Sequence, residues 1–356
     1  MFYTPHTYTI ESVTAGHPDK ICDQISDAIV DACLTQDPLS RVAVETFGTN
    51  GTLIVGGEVT TKASVNYEDI VRSVYREIGY DSDAINISVF IHTQSPDIAQ
   101  GVNTGGAGDQ GIMYGFATDE TPQMLPWALV KVHELARRLH ELRRTKKFSW
   151  LGPDGKTQIT IHNDTVKTVL VSTQHSVDHQ NDEIRLVVEK HVVGPVLQGP
   201  LPKHISLDTP TLLVNPTGAF VIGGFTGDTG LTGRKIMVDT YGGLAPHGGG
   251  CFSGKDATKV DRSAAYMARL AAKTLVSQGL AHECIVSVAY AIGKADPLML
   301  NAVNEKQEDL SKELAKQFDF RPQAIIERLG LRNPIFQQTA TYGHFGREGL
   351  PWEKVS

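Results

Sequence analysis

Apolar positions along the chain recur at two spacings. Over residues 20–35 they return every three or four places, with Ile21, Ile25, Ala28 and Ile29 on one face. That period predicts an amphipathic helix. It predicts further helices over 67–78, 124–143, 261–277 and 300–318. Short β-branched runs, several of them alternating with polar residues, predict strands over 42–47, 53–59, 85–92, 166–173, 184–193 and 285–291. Two segments echo each other: Leu53-Ile-Val-Gly-Gly-Glu-Val-Thr-Thr61 and Phe220-Val-Ile-Gly-Gly-Phe-Thr-Gly-Asp228. Each reads as an apolar strand ending in Gly-Gly and a polar turn, which hints at a repeated α+β unit. Unit boundaries fall best in the Gly-rich stretch 101–111 and near 221–224.

The length of 356 residues suits two or three units of ordinary domain size. Hydrophobic residues make up 40% and charged residues 21%, as expected for a globular chain. A net charge of -7 argues against general affinity for nucleic acid or acidic membranes, so any binding cations must be concentrated locally. The run Arg143-Arg-Thr-Lys-Lys147 reads as a solvated helix end. Cys22, Cys33, Cys251 and Cys284 show neither CxxC pairing nor zinc spacing, so free thiols in a reducing compartment are expected. The N-terminus lacks a basic region followed by an apolar one, and no apolar run reaches membrane-spanning length. A cytoplasmic protein is expected.

The candidate chemistry concentrates in Gly-rich loops. Residues 248–266 run Gly-Gly-Gly-Cys-Phe-Ser-Gly-Lys-Asp-Ala-Thr-Lys-Val-Asp-Arg-Ser-Ala-Ala-Tyr. Glycines let backbone approach an anion, and Ser253 and Asp256 are good caps for a following helix. A helix starting there would aim its positive end at the anion, with Lys255 and Lys259 on one face and Asp261 as a possible metal ligand. This set suits a polyphosphate carrying Mg2+. Residues 249–255 also fit G-x-x-x-x-G-K, but Asp256 stands where a P-loop needs Ser or Thr, and no strand runs directly in.

Gly16-His-Pro-Asp-Lys20 opens the first helix with proline in its first turn. His17 beside Asp19 reads either as a capped helix with a bystander histidine or as a phosphate-and-metal corner. Residues 227–235 form a second Gly-rich loop, ending in Arg234 and Lys235. It reads either as a cation pair for phosphate or as a solvated hairpin. Pro153-Asp-Gly-Lys156 has the chemistry of a plain β-turn. The loop 106–120 follows the polar stretch 94–100, and the two read either as a lid or as a long surface connection.

Taken together, these motifs resemble the S-adenosylmethionine synthetase (methionine adenosyltransferase) family. The resemblance rests on Gly16-His-Pro-Asp-Lys20, residues 106–120, Leu231-Thr-Gly-Arg-Lys235, residues 248–266 and Tyr342-Gly-His-Phe-Gly-Arg-Glu348, in that family's order across nearly the whole chain. It implies an α+β fold of three similar α/β-layered domains around a pseudo-threefold axis, with intertwined segments near 1–100, 106–221 and 222–356. It implies a homodimer with sites at a flat subunit interface, possibly paired into tetramers. The implied reaction joins ATP and L-methionine, with phosphate and pyrophosphate released. Two Mg2+ ions per site and K+ are the implied cofactors.

By matching position, the resemblance implies that His17 contacts the bond-breaking end of the triphosphate. It implies that Lys156, Arg234, Lys235 and Lys255 bind phosphates, and that Asp154, Ala219, Phe220, Asp228 and Cys251 complete the ATP site, with Phe220 stacked on adenine. Asp19 and Asp261 would hold Mg2+, and Glu45 would hold K+. Glu58, Gln94, Asp109, Asp228 and Lys259 would position methionine. If the site is shared between subunits, Lys255 and Glu58 are expected to serve one site from different chains. The chain departs from many family members in a shorter loop at 101–105 and a shorter connection at 80–87. Ala219 also stands where some relatives carry Arg, and Cys251 where Ala is common. The rival readings are an ordinary phosphotransferase or ATPase, which would make ADP, and a nucleotide-binding homologue without turnover. At Cys251 a helix N-terminus and Lys255 favour a reactive thiolate, whereas burial favours a small apolar filler.

Overall fold

A computed structural model of the protein describes residues 5–93 and 105–355. Its strands are β1 (Thr7–Val13), β2 (Arg41–Thr49), β3 (Thr52–Thr60), β4 (Asn86–His92), β5 (Gly111–Thr118), β6 (Leu151–His162), β7 (Thr165–His175), β8 (Thr211–Val214), β9 (Gly230–Leu231), β10 (Glu283–Tyr290) and β11 (Met299–Asn304). Its helices are α1 (Pro18–Gln36), α2 (Tyr67–Ile78), α3 (Trp127–Arg143), α4 (Asn181–Val188), α5 (Gly194–Leu197), α6 (Ile236–Asp239), α7 (Val260–Ser277), α8 (Ser311–Gln317) and α9 (Pro322–Leu329).

The strands form three sheets, ordered β1-β6-β7-β8, β11-β10-β5 and β4-β3-β2-β9. Each sheet carries one long helix. α1 packs on β2, α3 on β6 and β1, and α7 on β5 and β10. Each sheet also borrows an edge strand from another part of the chain. β1, from the first hundred residues, pairs antiparallel with β6. β5 joins β10, and β9 joins β2. The first segment thus lends to the second, the second to the third, and the third to the first.

The sequence explains the layers. α1 buries Ile21, Cys22, Ile25, Ile29 and Val30 along its inner stripe. α7 is buried nearly all round, with Ala264, Ala268, Ala271 and Ala272 letting a sheet come close. A Cβ at Gly115 of β5 would collide with the Ala268 backbone. The two buried arginines of α7 are satisfied. Arg269 holds Glu353 at 3.0 Å and the Phe116 carbonyl at 2.7 Å. Arg262 holds both oxygens of Asp27 at 2.6 and 2.8 Å. Among the described residues no helix is long and apolar enough to cross a membrane.

Three expected elements differ. Residues 184–193 form a helix, α4, followed by a π-helical turn at Glu189–Val193, not a strand. Ile184, Val188 and Val192 are buried at four-residue spacing, and that stripe outweighs their β-branched character. Residues 300–318 divide into β11 and α8, because the Asn304 side chain caps a turn by accepting from the Lys306 and Glu308 amides. Residues 220–228 form no strand. Gly224 takes a φ of +58° and packs against the Tyr80 ring, so the echo of 53–61 is one of sequence only. Substituting Gly115 by Ala should cost about 3 kcal/mol through overpacking against α7. Urea unfolding of that variant checks this, and an unchanged midpoint would contradict the close contact.

Candidate active site

One cluster forms where α1 begins. His17 is the N-cap, and its Nδ1 accepts the Asp19 N–H at 3.2 Å. The strand β6 is irregular between Leu151 and Gly155, so 153–154 bulges toward that turn rather than forming a separate β-turn. Thr14 ties the two by donating its hydroxyl to the Pro153 carbonyl at 2.7 Å and its amide to the Gly155 carbonyl at 2.9 Å. Only glycine fits at 16, since a Cβ there would strike the Pro153 carbonyl. This brings Asp154 and Lys156 beside His17. The 227–235 loop reaches the same corner because Gly230 lies against the Pro18 carbonyl. Asp19, buried, then accepts the Leu231 amide at 3.0 Å and pairs with Lys235 at 2.7 Å. Arg234 stands 3.6 Å from the same carboxylate, and Asp228 is exposed nearby.

The electrostatics of this corner are distinctive. Burial first, then Lys235 and Lys156, push His17 down to about 3. Its imidazole is neutral, and since Nδ1 accepts a hydrogen bond, Nε2 carries the proton. Burial pushes Asp154 up to about 6, against the pull of the Gly224 amide that its Oδ2 accepts at 3.0 Å. Phe220 is half-buried, and the His175 ring accepts its amide at 3.0 Å. Ala219 is exposed beside it.

A second cluster lies on the outer face of the β2–β3–β4 sheet. Glu45, Glu58, Cys251 and Lys255 line a cavity of about 430 Å³ together with His92. Lys255 and Glu58 therefore share one cavity within one chain, which corrects the expectation that they come from different chains. His92 stands 3.5 Å from Glu58. The loop carrying Lys255 is zipped to β2, with Val44 donating to the Gly254 carbonyl and Asp27 accepting the Gly254 amide at 2.9 Å. Lys255 pairs with Asp261 at 2.6 Å.

The helix expected at 253–256 begins instead at Val260, with Lys259 as its N-cap. Ser253 and Asp256 do not cap it. Asp256 is a buried clip that accepts the Val42 amide at 2.7 Å and the Thr258 amide at 2.8 Å. That role accounts for the P-loop mismatch. Lys255 and Lys259 both precede the helix proper and diverge, Lys259 pairing with Asp256. Cys251 lies well before the helix, and burial pushes its thiol up to about 11, so the filler reading is favoured over the thiolate. It packs into the space where a Cβ of Gly233 would lie. Asp109 is exposed and accepts its neighbour's amide at 2.7 Å. Gln94 and residues 101–104 lie outside the described residues.

Among the described residues no group of three or more His, Cys, Asp or Glu is arranged to hold a metal by itself. Asp19 and Asp261 offer hard carboxylate oxygens, each paired with a lysine, in separate clusters. Such a donor set fits a cation shared with substrate phosphates rather than a protein cage. Sequence reasoning passed over the row Asp19, Asp23, Asp27 and Asp31 on α1, whose four-residue spacing is visible in the chain.

The fold is thus three interlocked α/β units with lysine–carboxylate pairs gathered in two clusters. Family models for S-adenosylmethionine synthetase match in three parts: the N-terminal domain over residues 5–96, the central domain over 104–220 and the C-terminal domain over 222–354. The chain is 50% identical over 370 residues to the S-adenosylmethionine synthase of Mesoplasma florum, covering 98% of this chain and 97% of that protein. It is 49% identical to the enzymes of that name from Desulforudis audaxviator and Pseudothermotoga lettingae, again over 98% of this chain and 96% of each relative. The chain belongs to the S-adenosylmethionine synthetase family.

With its thiol held protonated, Cys251 should react slowly with iodoacetamide near neutrality. Its labelling rate should rise about tenfold per pH unit up to its pKa, as thiolate does. Mass spectrometry of the peptide bearing Cys251 between pH 7.5 and 9.5 measures this. A rate that is already maximal at pH 8 would restore the thiolate reading.

Proposed function

We propose that this chain makes S-adenosylmethionine from ATP and L-methionine by sulfur attack on C5′, followed by hydrolysis of the displaced triphosphate. Family membership supports the reaction. The observation that carries the mechanism is the neutral His17 set among Lys156, Arg234 and Lys235 with no general base required. The thioether sulfur carries no proton. Its lone pair forms the S–C5′ bond, the C5′–O bond breaks, and those electrons settle on the triphosphate oxygen. The barrier lies in that growing negative charge, which preorganised donors stabilise.

The Nε2–H of His17 donates to the departing oxygen. Lys156, Arg234, Lys235 and Lys255 take the phosphates, with Asp154, Asp228, Ala219 and Cys251 around the nucleotide and Phe220 against adenine. Glu58, Lys259, Asp109 and Gln94 orient methionine. Asp19 and Asp261 would hold two Mg2+ ions and Glu45 would hold K+, and these ions would supply charge neutralisation of the triphosphate. Lys235 and Lys255 are each paired with one of those aspartates. An arriving triphosphate takes the lysines and frees the carboxylates. The same cations keep the triphosphate in place while water splits it into phosphate and pyrophosphate.

The active form is a homodimer in the cytoplasm, and two such dimers can pair as a tetramer. Within one chain the two clusters are separate, and the second lies on a sheet face that also exposes Phe47 and Phe90, at 39% and 65%. A second copy over this face supplies the first cluster to the second and buries those rings. Four free cysteines support a reducing compartment.

Incubation with ATP, methionine, Mg2+ and K+ should yield S-adenosylmethionine, phosphate and pyrophosphate, each quantified chromatographically. ADP as the main nucleotide product would favour the phosphotransferase reading instead. Assembly has its own test, which uses one inactive variant from each cluster. Lys156→Ala and Lys255→Ala proteins, exchanged into verified heterodimers, should recover activity at one of the two sites. Lys255→Ala mixed with Glu58→Ala should not. Recovery in the second mixture and none in the first would refute a site shared in this way.

A further inference from the structure

Asp23 lies one turn beyond Asp19 on α1 and is wholly buried, as is Lys20. The Asp23 Oδ1 accepts the Gly233 amide at 2.8 Å, and its Oδ2 stands 2.8 Å from the Lys20 ammonium. The same ammonium reaches Asp239 Oδ1 at 2.5 Å. Asp239 closes the short helix α6 and donates its amide to the Lys235 carbonyl at 2.9 Å. The segment 233–239 is therefore held at both ends by one buried brace, Asp23 at Gly233 and Lys20 at Asp239. Arg234 and Lys235 lie between the two grips.

Two further contacts remove slack. Gly233 has a φ of +79°, and Cys251 occupies the space a Cβ would need, so the orientation of its amide is set from both sides. His344 donates its amide to the Asp239 carbonyl at 3.0 Å, and its ring meets the Tyr266 hydroxyl at 2.8 Å. The Tyr342–Glu348 motif backs the brace through this histidine. A buried trio of one cation and two carboxylates is costly to desolvate, and apolar side chains of similar size often hold a core as well. What the trio supplies that apolar side chains would not is direction.

We infer that Asp23 is a positioning residue for the triphosphate step, fixing the aim of Arg234 and Lys235 through the Gly233 amide and the Lys20–Asp239 grip. This rests on the reading that Arg234 and Lys235 bind the triphosphate. Misplacing bound charges by an ångström or so typically costs about 100-fold. Asp23→Asn keeps an oxygen for the Gly233 amide but loses the charge on Lys20, and Asp23→Leu loses both.

The test measures KM for ATP, KM for methionine, and hydrolysis of added triphosphate in full-length enzyme with Mg2+ and K+, beside thermal melts. Asp23→Asn should raise the ATP KM about 5-fold and Asp23→Leu should lower kcat/KM for ATP about 100-fold. Triphosphate hydrolysis should fall in step, and the methionine KM should stay unchanged. A Lys20→Met/Asp23→Leu double variant, which leaves no lone ammonium, should behave like Asp23→Leu. If neither leucine variant folds, Asp23→Asn decides alone. An unchanged ATP KM in Asp23→Asn, or equal shifts in both substrates' KM, would overturn the inference. Arg234→Ala and Lys235→Ala serve as the reference. If they raise the ATP KM while the Asp23 variants do not, only the positioning role fails. If they too leave it unchanged, the triphosphate reading itself fails.

Discussion

Helix α1 carries a carboxylate at every turn along one side, and each holds the backbone of a distant segment. Asp19 accepts the Leu231 amide, Asp23 that of Gly233, Asp27 that of Gly254, and Asp31 those of Phe336 and Gln337. Hydrogen bonds to an ionised acceptor contribute about 1.5–3 kcal/mol each, and breaking one inside the protein leaves an amide unsatisfied. Three of the four carboxylates have a cation: Lys235 for Asp19, Lys20 for Asp23 and Arg262 for Asp27. Asp31 accepts two amides, with Arg262 acting on it without a direct pair, and burial pushes it up to about 6. The row works as a ruler. It sets the spacing of the two Gly-rich loops from one rigid element, and both clusters inherit their geometry from it.

The ruler functions only because the loops can come close. A Cβ at Gly16, Gly230 or Gly254 would strike the backbone of Pro153, Pro18 or Val44 respectively. These contacts join segments from different thirds of the chain, as do the borrowed edge strands β1, β5 and β9. A unit that lends its edge strand to a neighbour cannot bury its own sheet fully, so the three units stabilise one another. Several cation pairs then lie at seams between units: Lys235 with Asp19, Lys20 with Asp239 and Arg262 with Asp27. Arg269 of α7 serves the same interlocking by donating to the Phe116 and Met124 carbonyls of the second segment, while Glu353 grips it and Lys273 within their own segment.

Strong periodicity was legible in the chain. α2 spans the expected 67–78, and α1, α3 and α7 differ from expectation only at their ends. The misreadings have physical causes. In 184–193 a buried four-residue stripe sits within β-branched residues, and local propensity cannot rank the two. At 220–228 the apolar run is exposed at Val221 and Ile222 and turned by Gly224, which only the distant Tyr80 ring explains. The candidate site was legible as motifs, but its division into two clusters was not. Sequence spacing does not reveal that Lys255 and Glu58 meet while Lys255 and Lys259 part. The aspartate row was visible at its four-residue spacing, yet a run of carboxylates on a helix ordinarily reads as a solvated face. Only its burial distinguishes it.

Burial also explains why a histidine suits the proposed cleavage corner. An imidazolium beside Lys156 and Lys235 would meet the repulsion of both ammonium groups. The fold avoids this by enclosing His17 and letting those same lysines depress its proton affinity. The ring keeps one proton, directed by the Asp19 amide to the outward nitrogen. In the proposed reaction the entering triphosphate offsets the lysines' effect on the ring, and the Nε2–H dipole is attracted more strongly the more charge the leaving oxygen carries. The donor therefore responds most strongly when charge builds on the leaving oxygen. A lysine at position 17 would attract the triphosphate equally before and after bond cleavage, which tightens binding without favouring the transition state. A buried neutral imidazole concentrates its contribution at the step where charge develops.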